Sequence, residues 1–531
     1  MPGPHDRTVR NVLFIMADQL RRDYLSCYGH PTLHTPHLDA LAKRGVRFDR
    51  AYVQGPVCGP SRMSYYTGRY VTSHGAIWNF VPVSVREQGL GDYLRPHGIR
   101  TAVAGKTHME PDVAGMARLG IERTSEQGVL AEQLGFEPFD RDDGVWPPGF
   151  VSEHNQYTAF LKKHGYVSDN PWHDFANSAA SPNGEVLSGW EMRYANLPAR
   201  VKAEHSETPY MTDRAIDFIR EQGESPWCLH LSYIKPHWPY VAPAPYHDMY
   251  KAEDVLPVKQ HSAERGDDAH PVMQGFQRFA GAENFSQEAV RKHVIPVYMG
   301  LVKQLDDEIG RLMAHLEQAG RLEDTMIVFC SDHGDYLGDH YLAEKELFHD
   351  TVARVPLIVY DPSREADITR GRVESRLVES IDVVPTILTA LGVMPQEHIL
   401  EGRSLQPLLH GEAIADWRDA VFSEMNYAFR DFVRLPIQQP IERCHGYMVS
   451  DERWKCVFFD DLRPQLFDLE NDPDEFHDLG ADPTYAVVRE RARERLFEWL
   501  RHRKIHPTVS YPRMAAWTRK EQEAGIHICA W

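Results

Sequence analysis

Four short polar clusters in this 531-residue chain carry the residue types of a hydrolytic centre, and each directly follows an apolar run of strand length: Asp18-Gln19, Lys106-Thr107-His108, Lys235-Pro236-His237 and Ser331-Asp332-His333-Gly334. Asp18, Asp332 and His333 offer hard oxygen ligands plus one imidazole. Such a set suits Ca²⁺, Mg²⁺ or Mn²⁺ better than a thiolate zinc centre would. A single aspartate behind a strand is as often a helix cap. The Asp-His-Gly sequence, matched by Asp18 at the first strand, favours a metal. His108 and His237 each follow a lysine by two residues, a make-up suited to proton transfer beside cationic anion holders. Lys345 carries no signal of its own, since an exposed lysine is the default. A fifth contributor is Cys58, in the loop Pro56-Val57-Cys58-Gly59-Pro60-Ser61-Arg62. A helical pattern at 61–66 would put this thiol at a helix entrance, where the helix N-terminus and Arg62 both lower its pKa. A papain-like thiol, however, works with a histidine and an orienting Asn or Asp, and a thiolate matches a hard ion poorly. Residue chemistry therefore leads to a hydrolytic site for an anionic ester and leaves the nucleophile open.

For clusters hundreds of residues apart to converge, the strands before them must share one sheet, because ligand sites of open α/β sheets form at the carboxyl ends of strands. Runs at 12–16, 100–104, 226–234 and 325–330 read as those strands, with helical patterns at 35–45, 213–220 and from about 290 to 319. Thr35 is the expected N-cap of the first helix, Pro36 its first turn and Gly45 its terminator. This alternation predicts an α/β domain over 1–401, built on a large mixed, mostly parallel sheet flanked by helices. Segments at about 111–205 and 240–288, rich in Gly, Pro, Trp and Asn, read as insertions that cover the site or contact another subunit. Beyond residue 402 the pattern changes. Adjacent antiparallel strands at 454–459 and 465–469 and a helix at 484–503 predict a smaller C-terminal α+β domain over 402–503. The tail, 504–531, ends in apolar residues suited to docking, which predicts a homo-oligomer, a dimer or tetramer.

Composition limits the partners. The chain has 58 Lys+Arg against 77 Asp+Glu, a net charge of −19, which opposes nonspecific binding to nucleic acid or to an anionic membrane. Its seven cysteines are scattered, with no CxxC pair, so a disulfide framework or zinc ribbon is not indicated and a reducing, cytoplasmic location is expected. The first apolar run is only five residues long and passes straight into Ala17-Asp18-Gln19, unlike a signal peptide. No stretch has the length of a membrane span.

Cys58-Gly59-Pro60-Ser61-Arg62 followed by Tyr66-Thr67-Gly68-Arg69 resembles the C-x-P-S-R…T-G-R signature of the type I sulfatases. Asp18, Gly105-Lys106-Thr107-His108, Lys235-Pro236-His237-Trp238-Pro239, Ser331-Asp332-His333-Gly334 and Lys345 occur in that family's order and spacing. Gly402-Arg403-Ser404-Leu405 and Leu466-Phe467-Asp468-Leu469 resemble its C-terminal domain, so the likeness spans most of the chain. It implies an alkaline phosphatase-like fold and conversion of Cys58 to formylglycine by a maturation enzyme. It also implies one divalent ion, Ca²⁺ or Mn²⁺ foremost, held by Asp18, Asp332, His333 and the converted Cys58. The aldehyde hydrate at position 58 would attack a small sulfate ester, with Arg62 and Lys106 holding the nucleophile and the developing charge. His237 and Lys345 would protonate the leaving oxygen, His108 would take a proton from the hydrate, and Gln19 and Asn79 would meet the substrate.

Phe14-Ile15-Met16-Ala17-Asp18-Gln19, Trp78-Asn79 and the stretch 244–254 look like the related phosphonate monoester hydrolases, but those carry Tyr and Thr where this chain has Lys106 and His108. The expectation is a sulfatase, acting on aryl sulfates, with side activity toward phosphonate monoesters and phosphodiesters. The alternatives are a primary phosphonate hydrolase, a two-zinc phosphatase, for which no second Asp/His cluster is visible, and an inactive binding homologue. Trp78, Phe80, Trp238 and Tyr240 flank the motifs. Core packing is the first expectation for each, and an apolar leaving-group pocket the second.

Overall fold

The structure, a computed structural model, describes residues 8–144, 146–149, 155–181, 183–266, 268–504, 508–518 and 520–525. Strand β1 (Asn11–Asp18) is buried along its whole length, as expected of a strand covered on both faces of a parallel sheet. Its side chains divide by alternation. Leu13, Ile15 and Ala17 enter the core beneath the helices Glu207–Gln222 and Glu288–Gln318, while Val12, Phe14 and Met16 enter the core on the opposite face.

Seven more strands complete the main sheet: β2 (Val46–Tyr52), β3 (Arg100–Gly105), β4 (Glu137–Arg141), β7 (Trp227–Pro236), β8 (Thr325–Ser331), β9 (Arg354–Tyr360) and β10 (Val373–Glu379). Between β4 and β7 lies a small separate hairpin of β5 (Ser178–Ala180) and β6 (Val186–Ser188). The order across the main sheet is β10-β2-β9-β8-β1-β7-β3-β4. Only β9 runs against the others, being antiparallel to both β2 and β8. The mixed, mostly parallel sheet flanked by helices is thus the expected one, and β8, β1, β7 and β3 lie side by side with their carboxyl ends on one edge.

Two details depart from expectation. Helix α1 (Pro36–Arg44) begins where predicted, yet Thr35 does not cap it. The hydroxyl of Thr35 accepts from the Ser26 amide, and the first-turn N–H groups of His37 and Leu38 donate to Asp306 on the long helix Glu288–Gln318. Within 111–205, β4 pairs with β3 and closes the sheet, so part of that segment belongs to the scaffold rather than to a cover.

After the main sheet come β11 (Val421–Asn426), β12 (His445–Ser450), β13 (Trp454–Phe459) and β14 (Gln465–Asp468), an antiparallel meander that contains the predicted pair. Helix Ala486–Arg501 packs against it through Leu496 and Trp499. The apolar end of the tail, 526–531, lies outside the described residues. Among the described residues no helix is long and apolar enough to cross a membrane.

Candidate active site

The sheet edge gathers most of the site residues singled out in the sequence. Asp18 ends β1, Lys106 follows β3, His237 follows β7, and Asp332 and His333 follow β8. Gly105 turns the chain outward with φ +99°, and a Cβ there would fall 1.9 Å from the Ser232 carbonyl oxygen, so only glycine delivers Lys106 from this strand. Cys58 is the first residue of α2 (Cys58–Thr67), a helix buried throughout.

Around Cys58 the distances are short. Its Sγ lies 3.2 Å from His333 Nε2, 3.9 Å from Asp18 Oδ1 and 4.0 Å from Lys106 Nζ. Ligand atoms of Asp18, Cys58, Asp332 and His333 all fall within 4.8 Å of one another. Arg62 organises the carboxylates from behind. Its Nε donates to Asp332 Oδ2 at 2.8 Å and an Nη to Asp18 Oδ2 at 3.2 Å, while the other Nη donates to the Lys106 carbonyl and to Ser232. Both Oδ1 atoms are thereby left on the His333 side, 3.8 Å and 3.7 Å from its Nε2. The other imidazole nitrogen, Nδ1, faces the Gly334 carbonyl at 2.8 Å. A carbonyl only accepts, so Nδ1 carries the proton and Nε2 presents a lone pair to the cluster. Two carboxylate oxygens and a lone-pair imidazole fit a hard divalent cation.

His237 repeats this logic. Its Nδ1 donates to the Trp238 carbonyl at 2.6 Å, and its Nε2 accepts from Lys345 Nζ at 3.2 Å. Lys345 also donates to Gln19 Oε1 at 3.0 Å, and no carboxylate pairs with it among the described residues. Burial drives His237 down to about 3. Burial also disfavours the charged form of Lys345, yet the negative charges of Cys58, Glu344 and Asp18 outweigh it and raise its pKa. For Cys58 burial pushes the thiol upward. The Lys106 and Lys345 ammonium groups foremost more than reverse that and hold it well below the ordinary thiol range. Burial and Cys58 push Asp18 up, but Lys106, His237 and Arg62 bring it below the usual carboxylate range.

Several roles differ from those expected. Lys235, read as an anion holder, donates to the carbonyls of His237 and Pro239 and so fixes the turn beyond β7. Asn79 accepts from the Gly59 amide at 2.7 Å and holds the entrance of α2. Gln19 bridges Lys345 and Asp335, its Nε2 donating to Asp335 Oδ2 at 2.6 Å. Asp335 and Asp143 were not singled out from the sequence. Asp335 also accepts from Tyr240, and Asp143 accepts from the amides of Thr107 and His108, which orients the His108 loop. Asp335 was detectable as the fourth residue of Asp332-His333-Gly334-Asp335, whereas Asp143 sits in a stretch without periodicity. Trp78 and Tyr240 pack in the interior, as first expected. Phe80 does not: it is 73 % exposed, with its ring 5.8 Å from that of His108.

Known proteins match this architecture along most of the chain. Residues 10–393 match the model of the family described as Sulfatase, and 338–502 that described as N-sulphoglucosamine sulphohydrolase, C-terminal. The multifunctional alkaline phosphatase superfamily protein PehA of Trinickia caryophylli is 34 % identical over 516 residues, covering 93 % of this chain and 96 % of PehA. An arylsulfatase of Clostridium perfringens is 28 % identical, covering 88 % of this chain and 90 % of its own. Among solved structures, the phosphonate monoester hydrolase of Silicibacter pomeroyi superposes with a TM-score of 0.79 at 29 % identity, over 93 % of this chain and 96 % of that one. The strand-end site and the matches along the chain lead to one conclusion: the protein belongs to the sulfatase family and is a hydrolase of the alkaline phosphatase superfamily.

Proposed function

We propose that the protein hydrolyses sulfate monoesters, aryl sulfates foremost, with Cys58 oxidised to formylglycine by a maturation enzyme and one Ca²⁺ or Mn²⁺ bound, and that phosphonate monoesters and phosphodiesters are secondary substrates. The observation that carries this reading is the environment of Cys58: a buried side chain at a helix entrance, faced by Lys106, an Asp/Asp/His donor set and the field of Lys345. Once formed, the modified residue supplies an aldehyde hydrate as nucleophile, and the cation supplies charge that binds and polarises the ester oxygens.

The chain's own groups divide the remaining work. Asp18, Asp332 and His333 hold the cation. Arg62 spends its donors on two carboxylates, a carbonyl and Ser232, so it positions the ligands rather than touching substrate. Lys106 lies between Asp18 and position 58, where it stabilises negative charge on the nucleophile and the transferring group. Lys345 carries the proton for the leaving oxygen, while His237, neutral at Nε2, orients that ammonium. His108 interacts with Cys58, and its Nδ1 is buried with no hydrogen-bond partner among the described residues; its role is to take a proton from the nucleophile.

A primary phosphonate monoester hydrolase is the second reading, favoured by the likeness to the Silicibacter pomeroyi enzyme and to PehA. One protein preparation separates the two. With Ca²⁺ or Mn²⁺ supplied, kcat/KM for an aryl sulfate should exceed that for the matching aryl phosphonate monoester. The reverse order would replace the first reading with the second.

A further inference from the structure

A second buried cluster lies outside the active site. Glu264 comes from the 3₁₀ turn Ser262–Glu264, His340 from the turn Asp339–Tyr341, and His349 stands directly before the helix Asp350–Ala353. All three side chains are buried, and one ligand atom from each lies within 4.8 Å of the others. The two imidazole rings stack with centroids 4.0 Å apart, 18° from parallel. Glu264 Oε1 is 2.5 Å from His340 Nδ1.

The surroundings already fix these groups as they would be fixed around an ion. The Tyr336 hydroxyl engages His349 Nδ1 at 2.8 Å and leaves the other nitrogen of that ring available. The His261 amide donates to Glu264 Oε2 at 2.9 Å. Gln277 Nε2 donates to the carbonyls of both Glu264 and His340, tying the two ligand-bearing turns together.

The cations nearby are already matched: Lys455 with Asp350 and Glu475, Lys259 with Asp474, and Arg21 with Asp23 and Asp339. A cavity of about 290 Å³ is lined by Glu264 and His349.

We propose that Glu264, His340 and His349 form a second metal site for a borderline divalent cation of the Zn²⁺ class. One carboxylate and two imidazoles are a zinc-type ligand set, distinct from the mainly oxygen set of the catalytic cluster. Any proton the three ligands carry is released to solvent as the ion binds, so charge and atoms balance. Its role is to brace: His340 and His349 bracket Lys345 in the chain, and a shared ion pins both ends of the loop that delivers it.

The site is tested on the full chain carrying Asp18→Asn and Asp332→Asn, which removes the catalytic ligands, after stripping with a chelator. Equilibrium dialysis against Zn²⁺ should leave one equivalent per chain, and Co²⁺ in its place should show the intense visible absorption of a four-coordinate nitrogen-oxygen site. Adding either His349→Ala or the near-isosteric Glu264→Gln, with folding verified by circular dichroism, should weaken retention at least tenfold. The proposal fails if the double variant holds no stoichiometric ion, or if it holds one with undiminished affinity after both substitutions. Because turnover is not the readout, this result is independent of the proposed catalytic reading.

Discussion

Lys345 and Lys455 are both buried among carboxyl groups near the same loop, and they differ in how their donors are used. Lys455 donates to the Phe348 carbonyl at 3.0 Å and to Asp350 at 2.6 Å, and its ammonium lies 2.7 Å from Glu475. Arg354 also pairs with Asp350, at 3.2 Å. Among the described residues Lys345 donates to the Gln19 amide oxygen and to the neutral nitrogen of His237 and lies 5.8 Å from the Trp238 ring centroid, with no carboxylate as hydrogen-bond or ion-pair partner. The first lysine is satisfied on every side and joins β13 to the segment beyond His349. The second keeps its charge uncommitted beside Cys58. Elements of the same chemistry serve structure where every partner is present and catalysis where one is left for the substrate.

Replacing Lys345 should break the comparison most sharply. Lys345→Ala should lower kcat for a sulfate ester by about 10²–10⁴-fold, the usual range for losing a positioned proton donor. The loss should be steeper for esters of poor leaving groups than for activated aryl esters, as a leaving-group series would show. An equal loss across the series would remove Lys345 from the leaving oxygen.

Lys106→Tyr combined with His108→Thr comes next. Sulfate turnover should fall at least about tenfold more than phosphonate turnover, a difference of roughly 1.4 kcal/mol in barrier. Parallel losses would show that these two positions do not discriminate between the esters.

Lys455→Met should do the opposite of Lys345→Ala. It leaves Asp350 and Glu475 without their shared cation, so denaturant unfolding should register a loss of about 3–5 kcal/mol. The kcat of the folded fraction should stay within about twofold of the parent, a change of no more than ~0.4 kcal/mol.

The smallest effect concerns pH. Burial, opposed by Lys455 but reinforced by Asp350, raises the Glu475 carboxyl to about 7. A carboxyl raised on folding holds its proton in the native state after the unfolded chain has released it, so its contribution favours folding at low pH. That contribution falls as pH climbs from the ordinary carboxyl range and is gone above about 7. Glu475→Gln lacks this titration. The difference in Tm, variant minus parent, should therefore grow from pH 5 to pH 8, and a flat difference would contradict the assignment.

The catalytic half of this comparison was legible in the sequence because each chemical cluster follows a strand, and a parallel sheet brings strand ends together. The buried run at 12–16 and the motif at 331–334 needed no tertiary knowledge to be placed. What stayed hidden depends on distant partners. Strand β2 is interrupted by Arg47, Asp49 and Arg50, and β4 is a short polar edge strand, so neither shows the apolar run that marks a covered strand. The cap of α1 comes from Asp306, more than 260 residues along the chain. Glu264 and His340 are 76 residues apart and share no spacing signature. Lys235 and Lys345 look alike as residues. Only the carbonyls around the first and the missing carboxylate around the second assign them different work.

The central claim is that Cys58 acts only after it ceases to be a thiol. Peptide mass spectrometry of the segment around Cys58, on enzyme whose aryl sulfate turnover has been measured, tests this most directly. The aldehyde should be found in place of the thiol, in a fraction that tracks specific activity across preparations. Full activity from protein containing only the unmodified cysteine would contradict the account.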